Sequence, residues 1–447
     1  MKKFKKIKFS RLHSLGLILS SFLIIILIGS ILLVLPVASN GDSISFIDAL
    51  FISTSAICVT GLSPVSSVAD TLSIFGKVVL AVLIEIGGLG FVTIVMFIAI
   101  IFGFKVTFGQ RLILKEALNQ DTLGGVVILL KKIIFTAFII QSFGIILCFI
   151  DLYFVHQYGI IEALGYSIFH IISSFNNAGF DIFGSTSLVQ FRGDSLFILN
   201  TAMMIIAGGL GFIVMFDIGQ KSSFKRLSLH SKVVLTMTLV LLVFGTLSFK
   251  FLNWNEFSWL DAFFMSTSFR TAGFYLINPA TFNNASLLIA MALMFFGVGP
   301  ASTGGGVKIT TLFTLTASLI KFATGSNQTH AFKRRISEQS VIKAFILTTF
   351  AFFFIIIISF ILSISERNNE AASFTAIIFE CISAFSTTGF SLNLTTTLST
   401  FSKFMICILM FVGRLGPITF ISLFNRNANV ANKKDSIGYV EENIIIG

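Results

Sequence analysis

Apolar residues run in long stretches along this chain, at about 15–35, 72–104, 127–150, 196–217, 231–252, 285–322, 341–363 and 401–424. About 20 apolar residues carry a helix across the hydrocarbon core of a bilayer, so the pattern predicts eight membrane-spanning helices. Within each successive pair, the two stretches are joined by a segment of about 30–45 residues that is itself largely apolar. Its runs, such as 47–57, are too short to span. The prediction there is a short helix that re-enters and stops in mid-membrane, where irregular backbone is tolerated only if buried in protein or lining a watery cavity.

Composition agrees. Of 447 residues, 55% are hydrophobic and 11% charged, with 54 phenylalanines and a mean hydropathy of +0.95. A soluble protein carries roughly a quarter charged residues, so this is an integral membrane protein. Its first stretch follows Lys2, Lys3, Lys5, Lys6, Lys8 and Arg11, like the start of a signal peptide. The stretch exceeds a signal's apolar core and no small-residue cleavage site follows Pro36, so it is read as a mature helix.

The charges, 31 basic against 20 acidic for a net +11, fall in alternating segments. Residues 1–14, 105–132, 218–232, 321–343 and the tail hold 23 of the 31 Lys and Arg. The intervening segments collect Asp42, Asp48, Asp70, Asp151, Glu162, Asp181, Asp194, Glu256, Asp261, Glu366, Glu370 and Glu380. The positive-inside rule places the basic segments and both termini in the cytoplasm. That reading outweighs a nucleic-acid patch, because the basic runs lie between apolar spans. The four cysteines, in or beside apolar segments without C-x-x-C pairing, read as buried hydrophobes.

Four related strings recur in the acidic segments: Ser55-Ala-Ile-Cys-Val-Thr-Gly61-Leu62, Ser173-Ser-Phe-Asn-Asn-Ala-Gly179-Phe180, Thr267-Ser-Phe-Arg-Thr-Ala-Gly273-Phe274 and Ser383-Ala-Phe-Ser-Thr-Thr-Gly389-Phe390. The glycines are spaced by 118, 94 and 116 residues, so the chain reads as four copies of one unit. A second landmark follows in each: Gly87-Gly-Leu-Gly-Phe91, Gly208-Gly-Leu-Gly-Phe212, Gly297-Val-Gly-Pro300 and Gly413-Arg-Leu-Gly-Pro417. Glycine permits the positive φ that turns successive carbonyls to one side. Four such strands around one axis make rings of oxygen able to replace a potassium ion's hydration shell. The carboxyl ends of the short helices add partial negative charge, and the outer acids raise the local cation concentration. Glycine as a mere packing residue would explain one string better than four at matched positions.

At these residues the sequence resembles the Trk/Ktr/HKT superfamily of potassium transporters, in its KtrB-type branch, over about 15–424. Asp48-Ala-Leu-Phe, Cys58-Val-Thr-Gly-Leu62, Phe175-Asn-Asn-Ala-Gly-Phe180, Arg270-Thr-Ala-Gly-Phe274, Ser386-Thr-Thr-Gly-Phe390, Ser302-Thr-Gly-Gly-Gly-Val-Lys308 and Gly413-Arg-Leu-Gly-Pro417 carry it. The resemblance implies an all-α polytopic fold of four M1-P-M2 repeats, eight transmembrane helices and four re-entrant pore helices in pseudo-fourfold symmetry around one pore. The divisions expected are a basic N-terminus at 1–14, repeats at 15–110, 127–220, 231–323 and 341–424, and a cytoplasmic tail at 425–447. The selectivity filter is expected at Val59, Thr60 and Gly61; Asn177, Ala178 and Gly179; Thr271, Ala272 and Gly273; and Thr387, Thr388 and Gly389. Glycine at 61, where sodium-passing plant members often carry serine, favours potassium.

A gate is implied beneath the filter at 297–306. Three consecutive glycines and a proline there are incompatible with rigid helix, since glycine costs about 1 kcal/mol and proline about 3 relative to alanine. Its implied residues are Gly304, Gly305, Gly306, Lys308 and the positive Arg414. Intramembrane charges are costly and face a cavity or one another. Glu85 admits two readings, as a partner of either base or as a residue near a membrane boundary. Arg270 is expected behind the filter, turned toward outer acids such as Asp261; Phe269 stands where many relatives have proline. Asn176 and Asn177 either brace the second strand or cap a helix. The five histidines, scattered near interfaces, argue against a metal site, and Trp254 and Trp259 suit an outer aromatic belt.

No Walker motif occurs, so ATP hydrolysis and an organic cofactor are not expected. The resulting expectation is a non-enzymatic potassium-uptake subunit of a bacterial plasma membrane, surrounded by lipid, with K+ as the transported ion and Na+ as a further candidate. The resemblance implies a homodimer and a cytosolic KtrA-type nucleotide-binding ring as regulator; no nucleic-acid partner is expected. Competing readings are a Trk-type or sodium-permeable transporter and an alternating-access carrier, which would need inverted repeats or a midplane site between helix pairs.

Overall fold

The computed structural model describes residues 11–416 except 105, 118–123 and 222, and excepting the side chains of residues 11–15, 17, 116 and 117. The basic stretch before Arg11, Lys105, Pro417 and the tail lie outside the described residues.

Seventeen α-helices follow one another among the described residues. The first group is α1 (Arg11–Val34), α2 (Phe46–Cys58), α3 (Val68–Thr71), α4 (Ile74–Leu89) and α5 (Phe91–Ile101). After α6 (Phe108–Ala117) come α7 (Val126–Ile150), α8 (Ile160–Phe175), α9 (Ser195–Leu210) and α10 (Phe212–Gln220). The third group is α11 (Leu229–Leu252), α12 (Trp259–Ser268), α13 (Asn284–Phe295) and α14 (Ile309–Ala323). A two-stranded hairpin, β1 (His330–Ala331) and β2 (Arg334–Arg335), precedes α15 (Glu338–Ser365), α16 (Phe374–Ser386) and α17 (Thr400–Leu415).

Local sequence accounts for many helix starts. Ser45, Ser258 and Ser373 cap the short helices α2, α12 and α16 by accepting the amide three residues on, with a full capping box at Ser258 and Asp261. Ser73, Asp194, Asn283 and Ser399 cap the helices that follow the glycine strings in the same manner.

Among the described residues three helices are long and apolar enough to cross a membrane: Val126–Val155, Leu229–Leu252 and Glu338–Ser365. Two bent pairs bring the number to five if each counts as one span. The apolar stretches at 72–104 and 196–217 are therefore not straight: α4 meets α5 at 97°, and α9 meets α10 at 94°. The joints are Gly90 and Gly211, at φ +84° and +87°, where L side chains rarely fit. The stretch at 285–322 is interrupted by non-helical residues from Phe296 to Lys308.

The buried core is shared between groups rather than held within each. Phe51, Cys58 and Leu62 of the first group cluster with α15, α16 and α17. Phe169, Ala178 and Phe180 of the second cluster with α1 and α4. Phe379 and Phe390 of the last cluster with α8, α9, α12 and α13. Outward, α7, α11 and α15 expose phenylalanine and aliphatic side chains such as Phe138, Phe143, Phe244, Phe353 and Phe360, as lipid-facing helices do.

Candidate cation filter and the loop beneath it

The short helices α2, α8, α12 and α16 each end in the non-helical glycine string. In every string the residue two before the glycine takes the left-handed conformation: Val59 at φ +57°, Asn177 at +57°, Thr271 at +74° and Thr387 at +52°. The glycines follow at +92°, +71°, +83° and +93°. Left-handed backbone is uncommon outside glycine and strained for the β-branched Val59, Thr271 and Thr387, so four such residues at one position are held there by the structure around them.

The glycines meet in a closed cycle. A Cβ on Gly61 lies 2.5 Å from the Ala178 carbonyl oxygen, one on Gly179 lies 2.7 Å from that of Ala272, and one on Gly273 lies 2.6 Å from that of Thr388. One on Gly389 meets the Thr60 carbonyl and returns to the start. Val59, Thr60, Asn177, Ala178, Thr271, Ala272, Thr387 and Thr388 are all fully buried. Above the cycle opens a cavity of about 420 Å³ onto which all four glycines face, with Asp181, Tyr275 and Ser391 among its walls. Burial pushes the Asp181 carboxyl up to about 7, against hydrogen bonds from Phe183 and Ser187 that lower it.

The recurring hydroxyl ties each strand to its helix. Gly61 N donates to Ser55 Oγ at 3.0 Å and Gly389 N to Ser383 Oγ at 3.1 Å. Ser173 Oγ donates to the Phe180 carbonyl at 2.6 Å. In the third string Ser268, not Thr267, donates to the Phe274 carbonyl; Thr267 bonds back to Phe263 within its own helix.

The second landmark has a packing cause. Gly87, Gly208 and Gly413 sit against the carbonyls of Ile57, Phe175 and Phe385, each four residues before a string glycine, at distances that exclude a side chain. Glycine there lets the returning helix reach the carboxyl end of the short helix.

Beneath the strings, residues 296–308 fold back on themselves: Gly297 N donates to the Val307 carbonyl and Ile309 N to that of Val298, both at 3.2 Å. Gly299 N and Thr303 N bond to the carbonyls of Gly209 and Gly208, and Gly306 N to that of Gly413. Gly305 N donates to Thr387 Oγ1 at 2.8 Å, and Thr303 Oγ1 to the Phe175 carbonyl at 3.2 Å. Thr303, Gly304, Gly305 and Gly306 are buried. Lys308 Nζ donates to the Gly304 and Gly305 carbonyls at 2.6 and 3.1 Å. Arg414 bridges from α17 to the Thr303 carbonyl and to those of Gly87 and Gly88. The two cations thus bind loop and helix-end carbonyls rather than acids.

The model of the TrkH family, described as cation transport protein, matches residues 9–431. The chain belongs to this family. It is 35% identical to the Ktr system potassium uptake protein B of Bacillus subtilis over 100% of both chains. It is 38% identical to the potassium/sodium uptake protein NtpJ of Enterococcus hirae over 98% of each. Among solved structures, the crystal structure of the potassium transporter TrkH from Vibrio parahaemolyticus matches with a TM-score of 0.75 at 16% identity, covering 95% of this chain and 87% of that one. That match establishes a shared fold, and the chain is a multi-pass membrane protein.

Some sequence readings change in this TrkH-family chain. Arg270, buried, donates to Thr238 Oγ1 of α11 at 3.4 Å and does not reach Asp261. Asp261 is held by Arg192 at 2.9 Å and by its own capping box. The reason is direction: Asp261 opens α12 and Arg270 follows its far end. Glu85 pairs with neither base; Asn176 Nδ2 donates to it at 2.6 Å and Gln141 at 3.2 Å. Asn177 Nδ2 reaches Thr271 Oγ1 at 3.3 Å, so it braces the second strand to the third. The four cysteines are buried and free. Thr303, inside the string at 302–308, and Thr387, expected from the sequence only as a filter carbonyl, anchor the loop through their hydroxyls, a role the sequence reading did not assign to them. Their signal was a hydroxyl beside each glycine element, too common to stand out.

Proposed function

We propose that this chain conducts potassium ions into the cell as the membrane subunit of a Ktr-type uptake system. The observation that carries the reading is the closed cycle of Gly61, Gly179, Gly273 and Gly389 beneath the polar vestibule. Carbonyls of 59–61, 177–179, 271–273 and 387–389 replace the water around a potassium ion. The ion then meets the loop at Gly304, Gly305 and Gly306, held shut by Lys308 and Arg414, and passes to the cytoplasm when the loop moves. In this reading the four groups, at 15–110, 127–220, 231–323 and 341–424, are M1-P-M2 repeats around one pore. Both termini are cytoplasmic and the protein lies in a bacterial plasma membrane.

The Bacillus subtilis relative's name as protein B of a Ktr system supports a partner subunit; a KtrA-type ring and a homodimer complete the proposed assembly. The potassium/sodium name of the Enterococcus hirae relative supports sodium as a second ion, coupled or permeant. The test is growth of potassium-uptake-deficient cells at low external potassium, with tracer flux in liposomes. Restored growth and a potassium flux that exceeds sodium flux are expected. Absence of both with a co-expressed partner overturns the assignment, and equal fluxes favour the sodium-permeable reading.

A further inference from the structure

Where α7 ends, the backbone departs from α-helix into a π-turn over Asp151–Val155, with His156 N donating to the Asp151 carbonyl at 3.2 Å. In a regular helix of 3.6 residues per turn, residues five apart point about 140° away from each other. The wider turn brings Asp151 and His156 to one side instead, and such turns recur at functional sites. Asp194, the N-cap of α9, completes the group: its Oδ1 accepts Leu196 N and Phe197 N at 3.0 and 3.1 Å, which leaves Oδ2 facing His156 Nε2 at 2.7 Å. One ligand atom from each of the three residues lies within 4.8 Å of the other two.

Asp151 is 1% exposed, and among the described residues neither of its carboxylate oxygens accepts a hydrogen bond. His156 Nε2 stands 3.9 Å from Oδ2. A buried carboxylate with no hydrogen-bond donor, facing a second carboxylate and an imidazole 3.9 Å away, costs free energy unless it takes a proton or a cation. Two carboxylates beside one imidazole leave a site that a divalent ion neutralises. One nitrogen and two oxygens match zinc-class coordination, with a fourth position for water, whereas calcium and magnesium favour all-oxygen shells. His156 is 27% exposed at its side chain, which gives the ion a way in, and the Phe191 ring packs edge-on against the imidazole with centroids 5.0 Å apart.

We propose that Asp151, His156 and Asp194 bind one divalent transition-metal ion, of the zinc class, and so tie the end of α7 to the start of α9. This site is separate from the glycine strings and does not depend on the ion-conduction reading.

The test uses the full-length protein in detergent, stripped with chelator and titrated with zinc chloride alone. Wild type should bind about one zinc per chain at micromolar or lower concentration, with a raised thermal midpoint. Asp151→Asn and His156→Ala should each weaken binding at least tenfold while keeping the helical circular dichroism and a zinc-free midpoint near wild type. Equal zinc binding by wild type and both variants, or none by wild type, overturns the proposal. Should a variant fail to fold, X-ray absorption of zinc-loaded wild type decides. A shell of one imidazole nitrogen with carboxylate oxygens supports the site, and one of water oxygens alone or of sulfur overturns it.

Discussion

A side chain at position 61 has no room: φ is +92° and its Cβ would lie 2.5 Å from the Ala178 carbonyl oxygen. Gly61→Ser therefore displaces one strand of the cycle and, through Ala178, the next. The preference for potassium over sodium should fall about tenfold, or 1.4 kcal/mol, read by tracer uptake under sodium competition. An unchanged preference would mean that these glycines do not build the filter. At the mouth, Asp181 is the titrating group, with its carboxyl pushed by burial up to about 7. One unit either side of that value, the carboxyl is about nine-tenths neutral or nine-tenths charged. A negative charge at the vestibule concentrates cations, so uptake at sub-saturating potassium should rise about twofold as external pH goes from 6 to 8. Asp181→Asn should flatten that profile, and a variant that keeps the wild-type slope would assign it to another group. For stability the sign is opposite. The folded-state value is raised, so the contribution is complete below the unfolded carboxylate value and is lost as pH rises through about 7.

The loop from 296 to 308 is an element with few internal bonds and many external ones; Arg414 supplies one of the latter, to the Thr303 carbonyl, and its other donors go to the Gly87 and Gly88 carbonyls of α4. Arg414→Ala removes the side-chain bridge that ties the loop at Thr303 to α4 at Gly87 and Gly88, leaving the backbone bond from Gly306 to Gly413 of α17, so liposome potassium flux should rise about three- to tenfold. Arg414→Lys should not restore the closed rate, because a compact ammonium lacks the guanidinium's planar fork. A flux equal to or below wild type would count against gating by this residue. The loop was legible in the sequence because a glycine cluster in an apolar run contradicts helix on local grounds alone. The strings were legible for a related reason, since they repeat. The right-angle bends at Gly90 and Gly211 were not read, although the glycines were noticed: a single glycine within a helix is compatible with a straight path, and only neighbouring segments decide. Likewise Glu85 stood out as a buried charge, but its partners Asn176 and Gln141 lie 91 and 56 residues away, and no periodicity connects them.

At the scale of the whole molecule the cycle has to be closed by groups at opposite ends of the chain. α17 packs on α2 as well as on its own α16, and Phe51, Cys58 and Leu62 are buried in the core that α15–α17 build. One ion pair joins the two ends directly: Lys403 Nζ reaches Asp48 Oδ1 at 2.6 Å across 355 residues of sequence, with side chains 13% and 22% exposed. Asp48 also serves the start of α2, where its Oδ2 accepts the hydroxyl of the N-cap Ser45. The Arg192–Asp261 pair makes the equivalent link between the second and third groups. Partial burial places the Lys403–Asp48 pair between an exposed ion pair, worth up to about 1 kcal/mol, and a charge-assisted hydrogen bond at about 1.5–3. Lys403→Met keeps the length of the side chain but strands Asp48, so the thermal midpoint should fall by the equivalent of about 1–2 kcal/mol. Asp48→Asn in the same chain should recover part of that loss, because the stranded charge is then gone. A double-mutant cycle separates the pair's coupling from the loss of either side chain. If the cycle of strings depends on this clasp, Lys403→Met should also lower the potassium-over-sodium preference, and the double variant should restore both quantities together. Stability lost with preference intact would show that the ends are held by apolar packing alone and that the filter tolerates a loosened clasp.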